Sequence, residues 1–296
     1  MHQKYLFFPS FVIEYIIGKF VEQKMTYNKA VALLSGAGIE NAETDAAILF
    51  EHFAGVARHT LPFRKNEEIE SVALASALER RLAREPLQYI LGEWEFCGLR
   101  FTLNSDCLCP RPDTELIVEL AMRNLPPRAH FCDIGTGSGA IAVSTVHYRK
   151  DTTAEAFDIN ENALSAASHN AEINGVAGRI RFAQADALSS DFLEGKAFDA
   201  IISNPPYIPA DVIPTLAPEV LLEPHRALDG GKDGLVFYRA ITEKAKSALA
   251  PSGFVLYEVG IGQAEDVARI GETNGFKAEI YPDLSGIDRA VLLRKI

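Results

Sequence analysis

The chain has no basic stripe of any length. Its 296 residues carry a net charge of −11. The densest cationic cluster, Arg80-Arg81 with Arg84, is bracketed by Glu79 and Glu85. A nucleic-acid binder generally presents a basic face, so DNA is not expected as a partner. Cysteine is scarce as well. Cys97, Cys107, Cys109 and Cys132 offer one C-x-C and no second pair of ligands at zinc spacing, which argues against a structural zinc site. Reduced thiols in a cytoplasmic protein are the expectation. Long apolar runs are missing too. The most apolar stretch, Tyr5–Ile17, contains Pro9 and Glu14, is too short to cross a bilayer, and is followed by no convincing cleavage site. It suits an extra amphipathic helix or a membrane-surface contact. It could equally precede a natural start at Met25. No membrane partner is expected. What remains is ordinary globular material: 48% hydrophobic and 23% charged residues, enough for a sizeable core in one large domain or two ordinary ones.

Four regions are expected. Residues 1–24 form an extra segment of uncertain status. Residues 25–86 read as helices only. Thr26 is placed to cap the first, Asn41 the second, and Asn66 a third whose first turn holds Glu67 and Glu68. Leu74, Leu78 and Leu82 mark one face, and Pro86 ends it. Residues 87–110 are rich in aromatic and β-branched residues broken by Gly92 and Gly98, the signature of a linking strand or hairpin. From residue 111 onward, strands at HFCDIG, AEAFDI, IRFAQAD, FDAIISN, FVLYEVG, FKAEIYPD and RAVLLRK alternate with helices. This predicts an α/β domain with a doubly wound, mostly parallel seven-stranded sheet, beside a small N-terminal helical bundle.

The segment FCDIGTGSGAIAVS places Gly135, Gly137 and Gly139 between a strand and a helix, where glycine permits a tight turn and close approach of a ligand. It also matches the dinucleotide fingerprint, so a hydride-transfer enzyme must be weighed. Asp158 ends the next strand at the spacing where an acid accepts hydrogen bonds from a ribose. Asp133 tilts the balance towards S-adenosylmethionine, since a carboxylate there can face the cationic methionine end of that cofactor. Asp186, after the third strand, could accept from an adenine amino group, or could simply form a turn.

The fourth of these strands ends in Asn204-Pro205-Pro206-Tyr207. The prolines stop the ladder and fix the backbone. The turn lies at the carboxyl edge of the sheet, beside the glycine loop. The Asn204 side-chain carbonyl and the Pro205 backbone carbonyl are two adjacent acceptors, suited to an NH2 group with two donors. Gripping both N–H groups would aim a conjugated nitrogen's lone pair at a methyl donor, with Tyr207 packed on the flat face. Positioning then supplies much of the rate. No general base is evident in the motif. NPPY has no role in hydride transfer, which disfavours the nicotinamide alternative.

NPPY after DxGxGxG resembles the amino-group methyltransferases in general. The flanks are narrower. PLQYILGEWEFCGLRFTLNSDCLCPRPDTELIVE, EPHRALDGGKDGLVFYRAI, YEVGIGQ and DLSGIDRAV resemble segments of the HemK/PrmC family of peptide chain release factor glutamine methyltransferases, from about Met25 to the end. The resemblance implies methyl transfer from S-adenosylmethionine to the glutamine amide nitrogen in the Gly-Gly-Gln loop of class I release factors, by a cytoplasmic enzyme, expected to be a monomer. It implies that Gly135, Thr136, Gly137, Ser138 and Gly139 line the cofactor. Asp158 binds its ribose, Asp186 and Ala187 flank its adenine, and Asn204 also borders it. Asn204, Pro205, Pro206 and Tyr207 form the glutamine pocket and carry catalysis, and Arg111–Glu115 folds over the methionine end. The helical domain is expected to dock the release factor. Ala187 is smaller than the apolar residue often found there, and Leu221 replaces a frequent Arg. The alternative is a nucleic-acid amino methyltransferase acting on adenine-N6 or guanine-N2, for which no basic groove is seen.

Overall fold

The structure, a computed structural model, describes residues 24–296; the apolar stretch Tyr5–Ile17 lies outside them. The chain divides into two compact units, the first ending at Leu91 and the second spanning Gly92–Ile296.

The first unit holds helices α1 (Tyr27–Gly36), α2 (Ala42–Ala54), α3 (Val72–Leu82) and the short α4 (Leu87–Leu91). Its core is made by Leu34, Leu49, Phe50, Leu74 and Leu78, all buried. The Thr26 hydroxyl accepts from the Lys29 amide, the expected cap. Asn66 does not cap α3. Met25 and Ile69 exchange two backbone hydrogen bonds of 2.9 Å, which hold that stretch extended and leave the next free hydroxyl, Ser71, to accept from Leu74 N at 3.1 Å. Asn66 instead accepts from Asn28.

The second unit opens with a hairpin, β1 (Glu93–Phe96) and β2 (Leu99–Thr102). Its two-residue turn, Cys97-Gly98, has φ of 50° and 69°, the doubly left-handed turn that matches the twist of paired strands. Then follow α5 (Glu115–Asn124), β3 (His130–Ile134), α6 (Ala140–Tyr148), β4 (Thr153–Asp158), α7 (Glu161–Ile173), β5 (Ile180–Gln184), β6 (Phe198–Ser203), α8 (Pro218–Leu221), α9 (Val236–Ala248), β7 (Leu249–Glu258), α10 (Ala264–Thr273), β8 (Phe276–Pro282) and β9 (Asp288–Lys295). One seven-stranded sheet has the order β5-β4-β3-β6-β7-β9-β8. Strands β3 to β7 run parallel, and β9 is antiparallel to both of its neighbours. The expected doubly wound sheet is present. Helix α10 was not anticipated; it buries Ala264, Val267, Ala268 and Gly271. A Cβ on Gly271 would lie 2.3 Å from the Leu293 side chain, so its glycine permits close packing on β9.

The chain runs outward from β3 to β4 and β5, then returns to β6 on the other side of β3. The loops leaving β3 and β6 therefore diverge from adjacent strands and open a crevice at the carboxyl edge, the usual ligand position in such sheets.

Candidate active site

Ile134 and Ser203 are register partners across β3 and β6, and the Ser203 hydroxyl donates to the Ile134 carbonyl at 2.7 Å. The residues that follow, Gly135 and Asn204, are thereby brought to one place. A cavity of about 390 Å3 opens there, lined by Gly135, Gly137, Asp158, Asp186, Ala187, Asn204, Pro205 and Pro206 among others. Small-molecule sites fall in the range of roughly 300–1,000 Å3.

The glycine loop is shaped by its backbone. Gly135 and Gly137 have φ of 71° and 54°, and an added Cβ on either would meet nothing within 4 Å. The space they leave belongs to the cavity. Gly139 plays a different part: its added Cβ would sit 3.1 Å from Ala167 on α7, so it permits helix packing. Thr136 and Ser138 are buried and, like Gly139, are not among the lining residues. The Thr136 hydroxyl donates to Asp133 at 2.7 Å, and the Ser138 carbonyl accepts from Asn170. These three hold the loop from behind.

Asp133 does not face the cavity. It is fully buried beneath the loop, where one oxygen accepts from Thr136 and from Ala142 N while the other has no partner among the described residues. Burial pushes its carboxyl up to about 7. It props the loop. Asp158 does line the cavity, and its two oxygens accept from Gly137 N and Asn160 N, both at 2.9 Å. The carboxylate thus ties the end of β4 to the glycine loop, with lone pairs left for a ligand's hydroxyls. Asp186 accepts from Leu188 N at 2.8 Å, a turn-forming contact, while its residue borders the same cavity.

Apolar walls complete the space. Ile159 and Leu188 sit one and two residues beyond Asp158 and Asp186, and α9 adds Phe237 and Ile241. None of these four was marked from the sequence. Ile159 carried a signal, an apolar residue directly after a strand-end acid; Leu188 and the α9 pair carried none, because helical periodicity cannot say which core a face meets. Cys107 also lines the cavity, and burial pushes its thiol up to about 12, so it is a neutral wall atom. A purine with its ribose fits this set: apolar faces, a carboxylate at the end of β4, and a cradle that side chains would fill. Gly135, Gly137, Asp158, Asp186 and Ala187 are the residues that could hold it.

The Arg111–Glu115 stretch lies on the Asn204 side and is absent from the cavity lining. Arg111 pairs with Glu223, which is almost wholly buried and also accepts from Cys109 N at 3.0 Å. Asp113 pairs with Arg289 at 3.2 Å. The Thr114 hydroxyl lies 3.3 Å from Asn204 Nδ2, and Glu115 accepts from Cys97 N. Tyr207 is half-buried outside the cavity lining. Burial pushes its phenol up to about 12, with Glu258, Arg289 and Arg111 around it. Its carbonyl accepts from Gln263 Nε2 at 2.9 Å. Ile208, the next residue, exchanges backbone hydrogen bonds with Leu228 and Gly230. Two glycines of the DGGKDG segment fit against this turn: an added Cβ on Gly230 would lie 2.7 Å from Tyr207 Cα, and on Gly234 2.3 Å from Tyr207 O.

Residues 26–92 match the PrmC N-terminal domain and residues 113–255 the methyltransferase small domain. The release factor glutamine methyltransferase of Moorella thermoacetica is 37% identical over 91% of this chain and 97% of its own. That of Geobacter sulfurreducens is 41% identical over 87% of this chain and 91% of its own. A methyltransferase crystal structure from Pyrococcus furiosus aligns with a TM-score of 0.52 at 19% identity, covering 67% of this chain and 90% of that one, a likeness of fold. The chain belongs to the release factor glutamine methyltransferase family.

Proposed function

We propose that this protein transfers a methyl group from S-adenosylmethionine to the side-chain amide nitrogen of the glutamine in the Gly-Gly-Gln motif of class I release factors. The observation that carries the reading is that Asn204 and Pro205 border the same cavity as Gly135, Gly137 and Asp158. A group that grips an NH2 and a group that cradles a nucleoside then share one space.

Bound S-adenosylmethionine supplies a methyl on a sulfonium, which the amide nitrogen attacks as the carbon–sulfur bond breaks. The protein's part is placement. Asn204 Oδ1 and the Pro205 carbonyl accept the two amide N–H groups, which turns the nitrogen lone pair away from its own carbonyl. Pro205 and Pro206 keep those acceptors from moving. Tyr207, fixed through its carbonyl by Gln263, packs against the planar amide. Asp158 holds ribose hydroxyls. The nitrogen's surplus proton leaves after transfer. Such orientation is worth several powers of ten in rate. We assign release-factor docking to the helical unit, where Phe63 and Val72 are exposed apolar residues.

Methyl transfer from tritiated S-adenosylmethionine to three acceptors tests this: a release factor, the same factor with its Gly-Gly-Gln glutamine changed to alanine, and duplex DNA. Label is expected on the first alone. It should fall at least a hundredfold with Asn204→Ala, the loss typical of removing one transition-state contact. Label on DNA, or equal label on the alanine form, overturns the assignment.

A further inference from the structure

The last residue of β7 carries a buried carboxyl that no step above uses. Glu258 is 2% exposed. It follows Tyr257, the register partner of Ser203, just as Asn204 follows Ser203, so the two side chains stand next to each other at the sheet edge. Thr114 and Asn204 stand beside the Glu258 carboxyl and favour its ionised form, and its Oε2 atom has no hydrogen-bond partner among the described residues. Glu258 does not line the cavity, so it acts through what it touches.

An ionised carboxylate only accepts. With Thr114 beside it, the carboxylate draws the single hydroxyl proton of Thr114 towards itself. That leaves the Thr114 lone pairs to accept from Asn204 Nδ2, at 3.3 Å. With its NH2 side so engaged, Asn204 can turn only its carbonyl oxygen to the substrate. The geometry points to Glu258 as a positioning residue that, through Thr114, sets the direction of the Asn204 amide and so makes the site accept an NH2 group. Were Glu258 able to donate, the Thr114 proton would be released to bond Asn204 Oδ1. The amide would then flip and meet the substrate's NH2 with its own. This inference rests on the proposed function and adds the groups that keep its acceptor pointed correctly.

The acidity of Glu258 gives an independent readout. Burial, reinforced by Asp113 and opposed by Thr114, Arg289 and Asn204, pushes it up to about 7. Tyr207 and Tyr238 also face it, the latter donating to its backbone carbonyl at 2.8 Å; both phenols are raised by burial and stay neutral. Protonation of Glu258 below neutrality turns the acceptor into a donor, so turnover should fall as pH drops through about 7.

The test compares full-length wild type with Glu258→Gln, Thr114→Val and Thr114→Ser. The readouts are turnover on a release factor across pH, S-adenosylmethionine affinity by calorimetry, and melting temperature. Glu258→Gln, nearly isosteric but able to donate, should cut kcat on the order of a hundredfold with cofactor affinity within twofold of wild type. It should also lack the fall near neutrality. Thr114→Val should lose turnover comparably, and Thr114→Ser should restore most of it. Wild-type turnover and an unchanged pH profile in Glu258→Gln overturn the inference, as does a Thr114→Ser enzyme no better than Thr114→Val. A wild-type enzyme that binds cofactor but labels no release factor overturns the proposed function, and this inference with it.

Discussion

Replacing Gly234 with alanine separates the shaping of the NPPY turn from cofactor binding. Gly234 has φ of 73°, where an L side chain costs about 1–2 kcal/mol. Its new Cβ would also lie 2.3 Å from Tyr207 O and 2.5 Å from Gln263 Nε2. Gln263 can swing aside; Tyr207 O is backbone and cannot. Restoring ordinary contact needs a displacement of about 1 Å, the scale at which misplacement costs on the order of a hundredfold in rate. The displacement falls on Tyr207, while Gly135, Gly137 and Asp158 stay where they are. The expected result is a hundredfold loss of kcat on a release factor with cofactor affinity unchanged by calorimetry. Gly175→Ala is the control. Its φ is 70° and its Cβ would meet nothing within 4 Å, so it should lose about 1–2 kcal/mol of stability and keep its turnover. A Gly234→Ala enzyme as active as Gly175→Ala would refute the claim that Gly234 leaves room for the turn at Tyr207.

Asp158→Ala removes acceptors that a ribose would share with Gly137 N and Asn160 N; affinity for S-adenosylmethionine should fall at least tenfold by calorimetry, since hydrogen bonds to a charged group contribute about 1.5–3 kcal/mol each. Phe63→Ser changes an exposed ring of the helical unit, and should raise KM for the whole release factor while leaving the rate on a short Gly-Gly-Gln peptide alone. Ser71→Ala deletes the α3 cap and should destabilise by about 1 kcal/mol, read as a lower melting temperature. Asp133 has a folded pKa raised to about 7 from 3.8. Between those values the folded chain keeps a proton that the unfolded chain releases, so this group's contribution makes stability fall as pH rises through the window. Asp133→Asn should flatten that part of the melting-temperature profile relative to wild type, and an unchanged profile would mean the carboxyl is not held protonated.

Much of the fold was legible because it is carried by local rules. Thr26 caps α1 because a hydroxyl before a helix satisfies a free amide, and the apolar runs of β3, β6 and β7 announce strands covered on both faces. Asn66 misled because Asn and Ser make equally good caps. Only the pairing of Met25 with Ile69, 44 residues apart in the chain, selects Ser71. The site divides in the same way. The sequence by itself determined the chemical inventory: glycines that open a cradle, a strand-end acid, and two prolines that hold an amide oxygen and a carbonyl still. Chemistry of that kind resides in residue types and short spacings. Only the tertiary structure decided which of Gly135 to Gly139 border the cavity and which brace it. It alone turned Asp133 inward, and it alone set Glu258 and Thr114 behind Asn204 and Gly234 against Tyr207. Those contacts join elements far apart in the chain across the edges of a folded sheet. No local spacing encodes them, because strand order exists only once the sheet has formed.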